Sequence, residues 1–299
     1  MVEDELITEA GSDPHAGYES RPTSELVELM NAEDASVPEA VRAAAPAIAE
    51  AIDAIADRMR AGGRLVYVGA GSSGLIAALD ASECEATFST PPDLVVALVA
   101  GDAGAAPLTR AVAEDDGEAG ARDVGDLTIR PTDVVVGISA SGSTPYVLGA
   151  LDAAVTAGAL TVCVVCAPGS TLGALVDHEI VVVVGPEFIA GSTRLKAGTA
   201  QKLVLNAIST ITMIRLGKTY GNLMVDVVAA NEKLVERVRR IVAAATGATR
   251  DEIDEALAAA NGDVRVAIVC LVAGVDADTA RARLEVSGRS IGEALEELA

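Results

Sequence analysis

The sequence predicts an α/β protein, a doubly wound, five-stranded parallel sheet with a small helical appendage at the C-terminal end. Two observations predict this class. Five short, continuously apolar runs alternate with longer stretches of helical periodicity, as expected for parallel strands buried on both faces. Loops rich in Gly and Ser follow the first and third runs, at the edge where such sheets bind ligands.

The first elements along the chain are predicted to be helical. Residues 1–22 are polar and predict an extended arm, and a short helix is expected at 24–31. A long helix should then begin at Ser36, where SVPE provides a capping box with proline in the first turn. Its Ala/Ile pattern runs through Met59, and the glycines at 62–63 should end it.

Alternating strands and crossover helices make up the middle of the chain. Helices are expected from the first Gly/Ser loop to about residue 82, over about 105–124, and from residue 144. Helical crossovers between buried strands indicate a parallel, doubly wound sheet. The five strands are predicted at 64–68, 94–99, 133–138, 160–165 and 179–184.

The C-terminal third is predicted to be helical throughout. Two long helices are expected at 193–216 and 223–246, followed by three short helices from Thr249, whose spacing to Glu252 matches a capping box. This tail is interpreted as an element for packing or for dimer formation. The chain is therefore divided into an arm with a short helix (1–35), a sheet domain (36–246) and a three-helix appendage of UBA-like size (247–299).

The chain is strongly acidic, with 44 Asp and Glu against 22 Lys and Arg, a formal charge of −22, and only four lysines. Such a surface repels nucleic acid and anionic membranes, so neither is expected as a partner. Acidity with lysine depletion favours a halophilic protein of a salt-rich cytoplasm over an ordinary acidic cytosolic protein. The N-terminal residues lack an apolar signal-peptide core, and no uncharged, glycine-free run reaches membrane-spanning length, which predicts a cytoplasmic protein.

No metal site is predicted. Cys163 and Cys166 have CxxC spacing, but they end an apolar strand and no second pair is present, which favours core packing over zinc or redox chemistry. His15 and His178 fall in no motif and are assigned no role.

The two Gly/Ser loops are the predicted ligand site. Residues 69–74 read GAGSSG, and two serine hydroxyls there favour a phosphate at a helix N-terminus over a nucleotide fingerprint. Residues 139–145 read SASGSTP, a run of hydroxyls between a buried strand and a helix. A plain serine-rich cap is the alternative, but two such loops favour phosphate binding. The predicted phosphate ligands are Ser72, Ser73, Ser139, Ser141, Ser143 and Thr144.

The second loop contains Ser-x-Ser-Gly-x-Thr, which resembles the phosphosugar-binding signature of SIS (sugar isomerase) domains. In that family the hydroxyls matching Ser139, Ser141 and Thr144 hold the sugar phosphate. Nearly the entire chain is similar to the N-acetylmuramic acid 6-phosphate etherase family, most specifically over residues 191–206. The other matching stretches are LITE at 6–9, LDASEC at 79–84, AEDD at 113–116, GKTYGNLMVD at 217–226 and NEKL at 231–234.

The resemblance implies a lyase that cleaves the D-lactyl ether of a 6-phosphosugar, works without metal or organic cofactor, and forms a homodimer. A base removes the C2 proton of the open-chain aldehyde, lactate leaves from C3, and water adds to the unsaturated intermediate. The two carboxyl groups fall on Glu83, assigned as the acid that protonates the ether oxygen, and Glu114, assigned as the base. By pattern alone, each could be a solvated surface charge.

Arg194 and Lys196 are cations near a predicted helix start, where they oppose the helix dipole. An acidic partner or a ligand is therefore expected nearby, so both residues are assigned to the substrate site or to a subunit interface.

Two positions beside the loops depart from the etherase pattern. Leu75 and Ser143 stand where the family usually has arginine, and residues 85–86 replace a Pro-Pro pair. Arginine is the natural bidentate partner of a carboxylate or phosphate, so a weaker hold on one of these groups is expected. A 6-phosphosugar without the lactyl group is one possible substrate. A non-catalytic sensor that regulates a sugar kinase and an isomerase of amino-sugar phosphates are the alternative functions.

Overall fold

The computed structural model describes residues 17–226 and 232–296, which fold as two compact units. The sheet unit comprises the described residues up to Ser82 and those from Pro92 to Thr210. The helical unit comprises residues 83–91 and the described residues from Ile211. Residues 1–16 of the arm predicted over 1–22, which include the match at 6–9, lie outside the described residues, and so does the first residue of the match at 231–234. The predicted domain bounds at 35 and 246 stay predictions.

A five-stranded parallel sheet forms the centre of the sheet unit, as predicted. The strands are β1 (Leu65–Gly69), β2 (Val95–Val99), β3 (Val134–Ile138), β4 (Leu160–Val165) and β5 (His178–Val181). Their order is β2-β1-β3-β4-β5, and each neighbouring pair is parallel. The strands β1, β3 and β4 are buried along their whole length, which is why their sequences are continuously apolar.

The strand order leaves a crevice between β1 and β3. The chain leaves β1 to form β2 on one side, and leaves β3 to form β4 on the other. In doubly wound sheets, ligands bind at this reversal, outside the carboxyl ends of the two strands. Because the two Gly/Ser loops follow these two strands, the fold brings the predicted ligand loops together.

Helices connect the strands and precede the first of them. Helix α4 (Gly71–Phe88) extends beyond the predicted end at about residue 82, so Glu83 lies within the helix. Helices α4 and α8 (Lys196–Arg215) continue into the helical unit, after Ser82 and Thr210 respectively. A 3-10 helix at Tyr18–Ser20 precedes α1 (Thr23–Asp34), α2 (Val37–Ala43), α3 (Ala45–Arg60), α4 (Gly71–Phe88), α5 (Pro107–Ala113), α6 (Gly117–Asp126), α7 (Pro145–Thr156) and α8 (Lys196–Arg215).

The prediction of one long helix from Ser36 to Met59 was wrong. The segment is divided at Ala44, because Pro46 in the first turn of α3 has no N–H to continue an earlier helix. Ser36 itself is helical in backbone conformation, and its hydroxyl donates to the carbonyl of Glu33 at 2.7 Å instead of capping α2.

The predicted helix over 105–124 is likewise two helices, α5 and α6. The side chain of Asp116 accepts a hydrogen bond from the backbone N–H of Ala119 at 2.8 Å, so it caps a new helix after the break.

Helices α6 and α7 pack with their backbones in close contact. A Cβ atom at Gly120 would lie 2.0 Å from the carbonyl oxygen of Tyr146, and one at Gly149 would lie 1.9 Å from that of Gly117. Only glycine fits at these two positions. The contact fixes the position of α7, whose first turn follows the second Gly/Ser loop.

The amino end of the sheet is closed by an ion pair cluster. Asp133 is fully buried before β3, and its carboxylate accepts hydrogen bonds from the side chains and backbone N–H groups of Arg64 and Arg130. Burial alone would raise the pKa of this carboxyl, but these hydrogen bonds hold its pKa well below the ordinary value.

The helical unit corrects two further predictions. A two-stranded antiparallel hairpin, β6 (Thr219–Tyr220) with β7 (Leu223–Met224), stands where the helix at 223–246 was expected to begin. Gly221 has φ +56° at the first position of its two-residue turn, a conformation that glycine favours. Within its described residues, the tail contains four helices and not three. The helices that lie wholly within this unit are α9 (Glu232–Thr246), α10 (Arg250–Ala259), α11 (Val264–Ala273), α12 (Ala277–Val286) and α13 (Ile291–Glu296).

The capping box of α10 is confirmed, since Glu252 accepts hydrogen bonds from the backbone N–H and the hydroxyl of Thr249. Asp226, predicted to lie on a helix, instead follows the hairpin and pairs with Lys218 at 2.5 Å and with buried Arg265 at 2.8 Å. Among the described helices, none by itself has the length and hydropathy to cross a membrane. Arg250–Ala259 and Val264–Ala273 reach that threshold only together, across a 120° bend.

Candidate functional site

A cavity of about 180 Å³ opens at the carboxyl ends of β1 and β3. Both Gly/Ser loops line it, together with the end of α5 and part of the loop before α8. We call it the hydroxyl cavity, because five side-chain hydroxyls of the two loops face it. Its lining residues are Ala70, Gly71, Ser72, Ser73, Glu114, Ile138, Ser139, Ala140, Ser141, Thr144, Gly191 and Thr193.

The first loop is a tight turn from β1 into α4. A Cβ atom at Gly74 would lie 2.6 Å from the carbonyl oxygen of Gly69, so the turn closes only with glycine at that position. Gly71 has φ +52° and starts α4 at the cavity. The first backbone N–H groups of a helix have no partner within the helix, and they carry its positive dipole end. Together with Ser72 and Ser73, they line one side of the cavity with donors of the kind that suit an anion.

The second loop connects the hydroxyls of Ser139, Ser141 and Thr144 by hydrogen bonds, and we call this set the hydroxyl ring. The oxygens of Ser139 and Thr144 are 2.8 Å apart, and those of Ser139 and Ser141 are 3.4 Å apart. The backbone N–H of Gly142 donates to the Ser139 hydroxyl at 3.0 Å, with φ +70° at this glycine. The ring fixes where each oxygen lies before a ligand arrives.

Five of the six predicted phosphate ligands line the cavity, and Ser143 does not. The Ser143 hydroxyl donates to the oxygen of Ser141 at 3.1 Å. The structure therefore places Ser143 behind Ser141, as a support for the ring. Leu75, the other departure from the etherase pattern, lies in the first turn of α4 with 39% of its surface exposed.

Glu114 contributes the carboxyl group of the cavity. It directly follows α5, and its backbone carbonyl accepts the N–H of Tyr146 at 3.0 Å, which ties it to the start of α7. Burial raises the pKa of this carboxyl, the charge of Asp115 raises it further, and a hydrogen bond with Thr144 partly opposes both effects. A carboxyl with a raised pKa in a cavity is suited to proton transfer near neutral pH.

Glu83, the second predicted catalytic residue, is exposed on α4 and belongs to the helical unit. It lies twelve residues after Gly71 on one continuous helix.

A third wall of the cavity is formed by Gly191 and Thr193. A carboxylate that was not predicted from the sequence fixes the position of this loop. Glu187 is fully buried, and its two oxygens accept the backbone N–H groups of Lys196 and Ala197 at 2.9 and 3.0 Å. It therefore caps α8 from nine residues upstream and closes the intervening loop. An acidic residue before a glycine-containing loop and a helix was the only signal in the sequence.

The two predicted cations take different positions. Lys196 is 3% exposed, and its ammonium group lies 2.6 Å from the carboxylate of Glu33, so it has the acidic partner that was expected. Arg194 is exposed on the loop that follows Thr193. Among the described residues that line the cavity, none is Lys or Arg. The donors that these residues offer to the cavity are therefore hydroxyl and backbone groups.

Cys163 and Cys166 are buried, and their thiols are hard to ionise. Burial raises the pKa values of Cys163 and Cys166 to about 12. Within residues 17–226 and 232–296, no group of three or more His, Cys, Asp or Glu side chains is arranged to hold a metal ion.

Two family models match the chain. One describes the N-terminal SIS domain of the glucokinase regulatory protein and matches residues 47–155. The other describes the SIS domain and matches residues 112–211. A phosphoheptose isomerase from Neisseria gonorrhoeae has a similar fold, with a TM-score of 0.50 and 21% identity, over 64% of this chain and 98% of its own.

Curated relatives match almost the full length at much higher identity. A protein from Rubrobacter xylanophilus is 58% identical over 94% of this chain and 93% of its own. A protein from Streptomyces avermitilis is 56% identical over 97% of this chain and 93% of its own. Each of these relatives is named N-acetylmuramic acid 6-phosphate etherase.

Proposed function

This chain belongs to the N-acetylmuramic acid 6-phosphate etherase family, and from that premise we propose that the hydroxyl cavity is its active site. As a lyase of this family, it cleaves the D-lactyl ether of N-acetylmuramic acid 6-phosphate to N-acetylglucosamine 6-phosphate and D-lactate. The full-length match at 58% identity favours this activity over the sensor and isomerase alternatives. The observation that carries the proposal is Glu114, a carboxyl with a raised pKa, among five hydroxyls.

The phosphate of the substrate would bind between the two loops. The N-terminus of α4 supplies backbone N–H groups, and Ser72, Ser73, Ser139, Ser141 and Thr144 supply hydroxyls. Neutral donors at a helix N-terminus are sufficient to hold a phosphate, because the helix dipole adds favourable charge. Holding the phosphate fixes the sugar so that its C2 hydrogen can be presented to one carboxylate.

Glu114 would be the base that removes the C2 proton. The open-chain aldehyde at C1 acidifies this proton, and lactate then leaves from C3. The raised pKa makes the carboxylate a stronger base than an exposed glutamate. Thr144 connects this carboxyl to the hydroxyl ring, so the base and the phosphate site share one framework.

Glu83 would be the acid that protonates the departing ether oxygen, and we place it in the cavity of a second copy of the chain. Glu83 is exposed on α4, twelve residues after Gly71, and it is not among the residues that line the cavity. A homodimer that shares its sites would let Glu83 of one protomer meet Glu114 of the other.

The first test is release of D-lactate from N-acetylmuramic acid 6-phosphate in molar KCl, because the acidic surface predicts a need for salt. The parent protein should release D-lactate, and the Glu83→Ala and Glu114→Ala variants should not. A folded parent protein that binds N-acetylglucosamine 6-phosphate but releases no lactate would overturn the proposed function.

The shared site is tested by co-expressing the two inactive variants. Random pairing makes half of the dimers mixed, and each mixed dimer has one complete site, so about a quarter of the parent activity should return. If Glu83 and Glu114 act within one protomer, every site carries a substitution and no activity returns. Isolated Glu83→Ala and Glu114→Ala proteins serve as the controls.

A further inference from the structure

Gln201 is buried next to the hydroxyl cavity and carries an unpaired donor. It lies on α8 with 1% of its surface exposed. Its Oε1 accepts the hydroxyl hydrogen of Ser73 at 2.9 Å. Its Nε2 has no hydrogen-bond partner among the described residues. Buried N–H groups without partners are rare and costly in folded proteins, so this one calls for an explanation.

The orientation of this amide decides what Ser73 offers to a ligand. In the observed orientation, the hydroxyl hydrogen of Ser73 points to Gln201, and only lone pairs are left for the cavity. A phosphate presents acceptor oxygens, which lone pairs repel. A half turn of the amide exchanges its oxygen and nitrogen without changing its shape. Nε2 would then donate to Ser73, and the hydroxyl hydrogen would be free for the ligand.

The half turn also gives the unpaired Nε2 donor a hydrogen-bond partner. In the observed orientation both N–H bonds of Nε2 lack described partners. After the turn at least one of them is used by Ser73, and the unpaired atom becomes a carbonyl oxygen, which proteins tolerate better when buried. The half-turned amide is therefore favoured as soon as an acceptor enters the cavity and takes the hydrogen of Ser73.

The second loop does not offer the same adjustment. Its hydroxyls are already bonded to one another, through Ser139, Ser141 and Thr144. No Lys or Arg lines the cavity among the described residues, so each neutral donor contributes substantially to anion binding. The direction in which the hydroxyl hydrogen of Ser73 points therefore changes the affinity for the phosphate directly.

We propose that Gln201 is a positioning residue of the phosphosugar site, whose amide turns on binding and holds Ser73 as a donor to the phosphate group. The proposal deepens the proposed function and rests on it, since it assumes that the hydroxyl cavity takes the phosphate.

The first test measures Kd for N-acetylglucosamine 6-phosphate and for inorganic phosphate by calorimetry. Gln201→Met keeps the side-chain volume but removes both polar atoms. Its Kd should rise about tenfold or more, the size expected for one hydrogen bond to a charged group. The matched control is Thr212→Val on the same helix, which removes another buried hydroxyl without a described partner, away from the cavity. Its Kd should equal that of the parent protein.

A pH profile separates the proposed role from a merely structural one. In Gln201→Glu, the introduced carboxyl can donate to Ser73 only when it is protonated. The ratio of the variant Kd to the parent Kd should therefore fall toward one as the pH is lowered. A ratio that does not change with pH would overturn the proposed donor role.

A double-mutant cycle tests whether Gln201 acts through Ser73. In the Ser73→Ala background, Gln201→Met should not weaken binding further. An undiminished effect in that background would overturn the proposal, and so would a parent-like Kd for Gln201→Met alone. If the folded parent protein binds neither probe, the proposed function fails together with this proposal. If the parent protein binds the probes and only the Gln201 results disagree, this proposal alone fails.

Discussion

The amino and carboxyl ends of the parallel sheet each hold a carboxyl group, and their surroundings are opposite. Asp133 at the amino end is fully buried and paired with Arg64 and Arg130, and its pKa is lowered. Glu114 at the carboxyl end lies in a cavity lined by hydroxyls, and burial with the nearby charge of Asp115 raises its pKa. Arginine pairing favours the ionised form of the first carboxyl, while the second, without such pairing and with a raised pKa, is better suited to exchange a proton.

The largest expected effect is on activity, from Glu114→Gln. Loss of the base should lower kcat by about 10²–10⁴-fold, since general bases contribute that much. The melting temperature should stay near that of the parent, because Glu114 is partly exposed and not paired with an arginine. Release of D-lactate and thermal unfolding measure the two effects. Asp115→Asn, at the exposed neighbouring carboxylate, is the control and should keep most of the activity.

The next largest effect is on stability, from Asp133→Asn. The change leaves two arginines beside a buried neutral side chain and should lower the free energy of unfolding by about 3 kcal/mol. Urea denaturation in molar KCl measures it. Asp57→Asn breaks an exposed pair with Arg60 and should cost about 0–1 kcal/mol. Equal losses in the two variants would show that the amino end is not the stabilising cluster described here.

A smaller effect is expected on KM, and it should differ between a serine inside the hydroxyl ring and a serine outside it. Ser139→Ala removes an oxygen that bonds Thr144 and the backbone N–H of Gly142, and KM should rise about tenfold. Ser143→Ala removes only a support of Ser141, so KM should change by less than about threefold. A larger effect for Ser143 than for Ser139 would place the phosphate outside the ring. Steady-state kinetics on the same substrate decide between these results.

The smallest expected effect is a difference between the pH at which activity is lost and the lower pH at which the fold is lost. The lowered pKa of Asp133 stabilises the fold above its unfolded value of 3.8, and this stability is lost only as the pH falls below that value. The raised pKa of Glu114 places the acid limb of the activity profile above its ordinary value of 4.5. Activity should therefore disappear before the fold does on acidification. Simultaneous loss of activity and of circular dichroism would contradict this order.

The sequence was sufficient for the sheet because its strands are buried on both faces. The runs in β1, β3 and β4 are continuously apolar for that reason, and the two loops follow from their position after β1 and β3. Helix ends were less predictable. Ser36 has the pattern of a cap, but Pro46 ends one helix and starts another. Gly221 turns the chain into a hairpin, whose second strand stands where a helix was expected to begin at residue 223.

Within the site, the side chains that depend on tertiary contacts could not be predicted. Glu187 caps α8 from nine positions upstream, and Gln201 meets Ser73 from 128 positions away. Lys196 pairs with Glu33 on a helix that no motif connects to it. Local patterns identify which loops bind, whereas the packing of α8 decides which side chains support them.

The central claim is that the carboxyl end of the sheet carries the chemistry and the amino end carries stability. Its most direct test is to assay the single variants Glu114→Gln and Asp133→Asn side by side for D-lactate release and for thermal stability. The account predicts that Glu114→Gln melts like the parent protein but releases almost no lactate. It predicts that Asp133→Asn melts lower but turns over substrate at nearly the parent rate below its melting temperature. An active Glu114→Gln protein, or an inactive but fully stable Asp133→Asn protein, would contradict the assignment of chemistry to the carboxyl end.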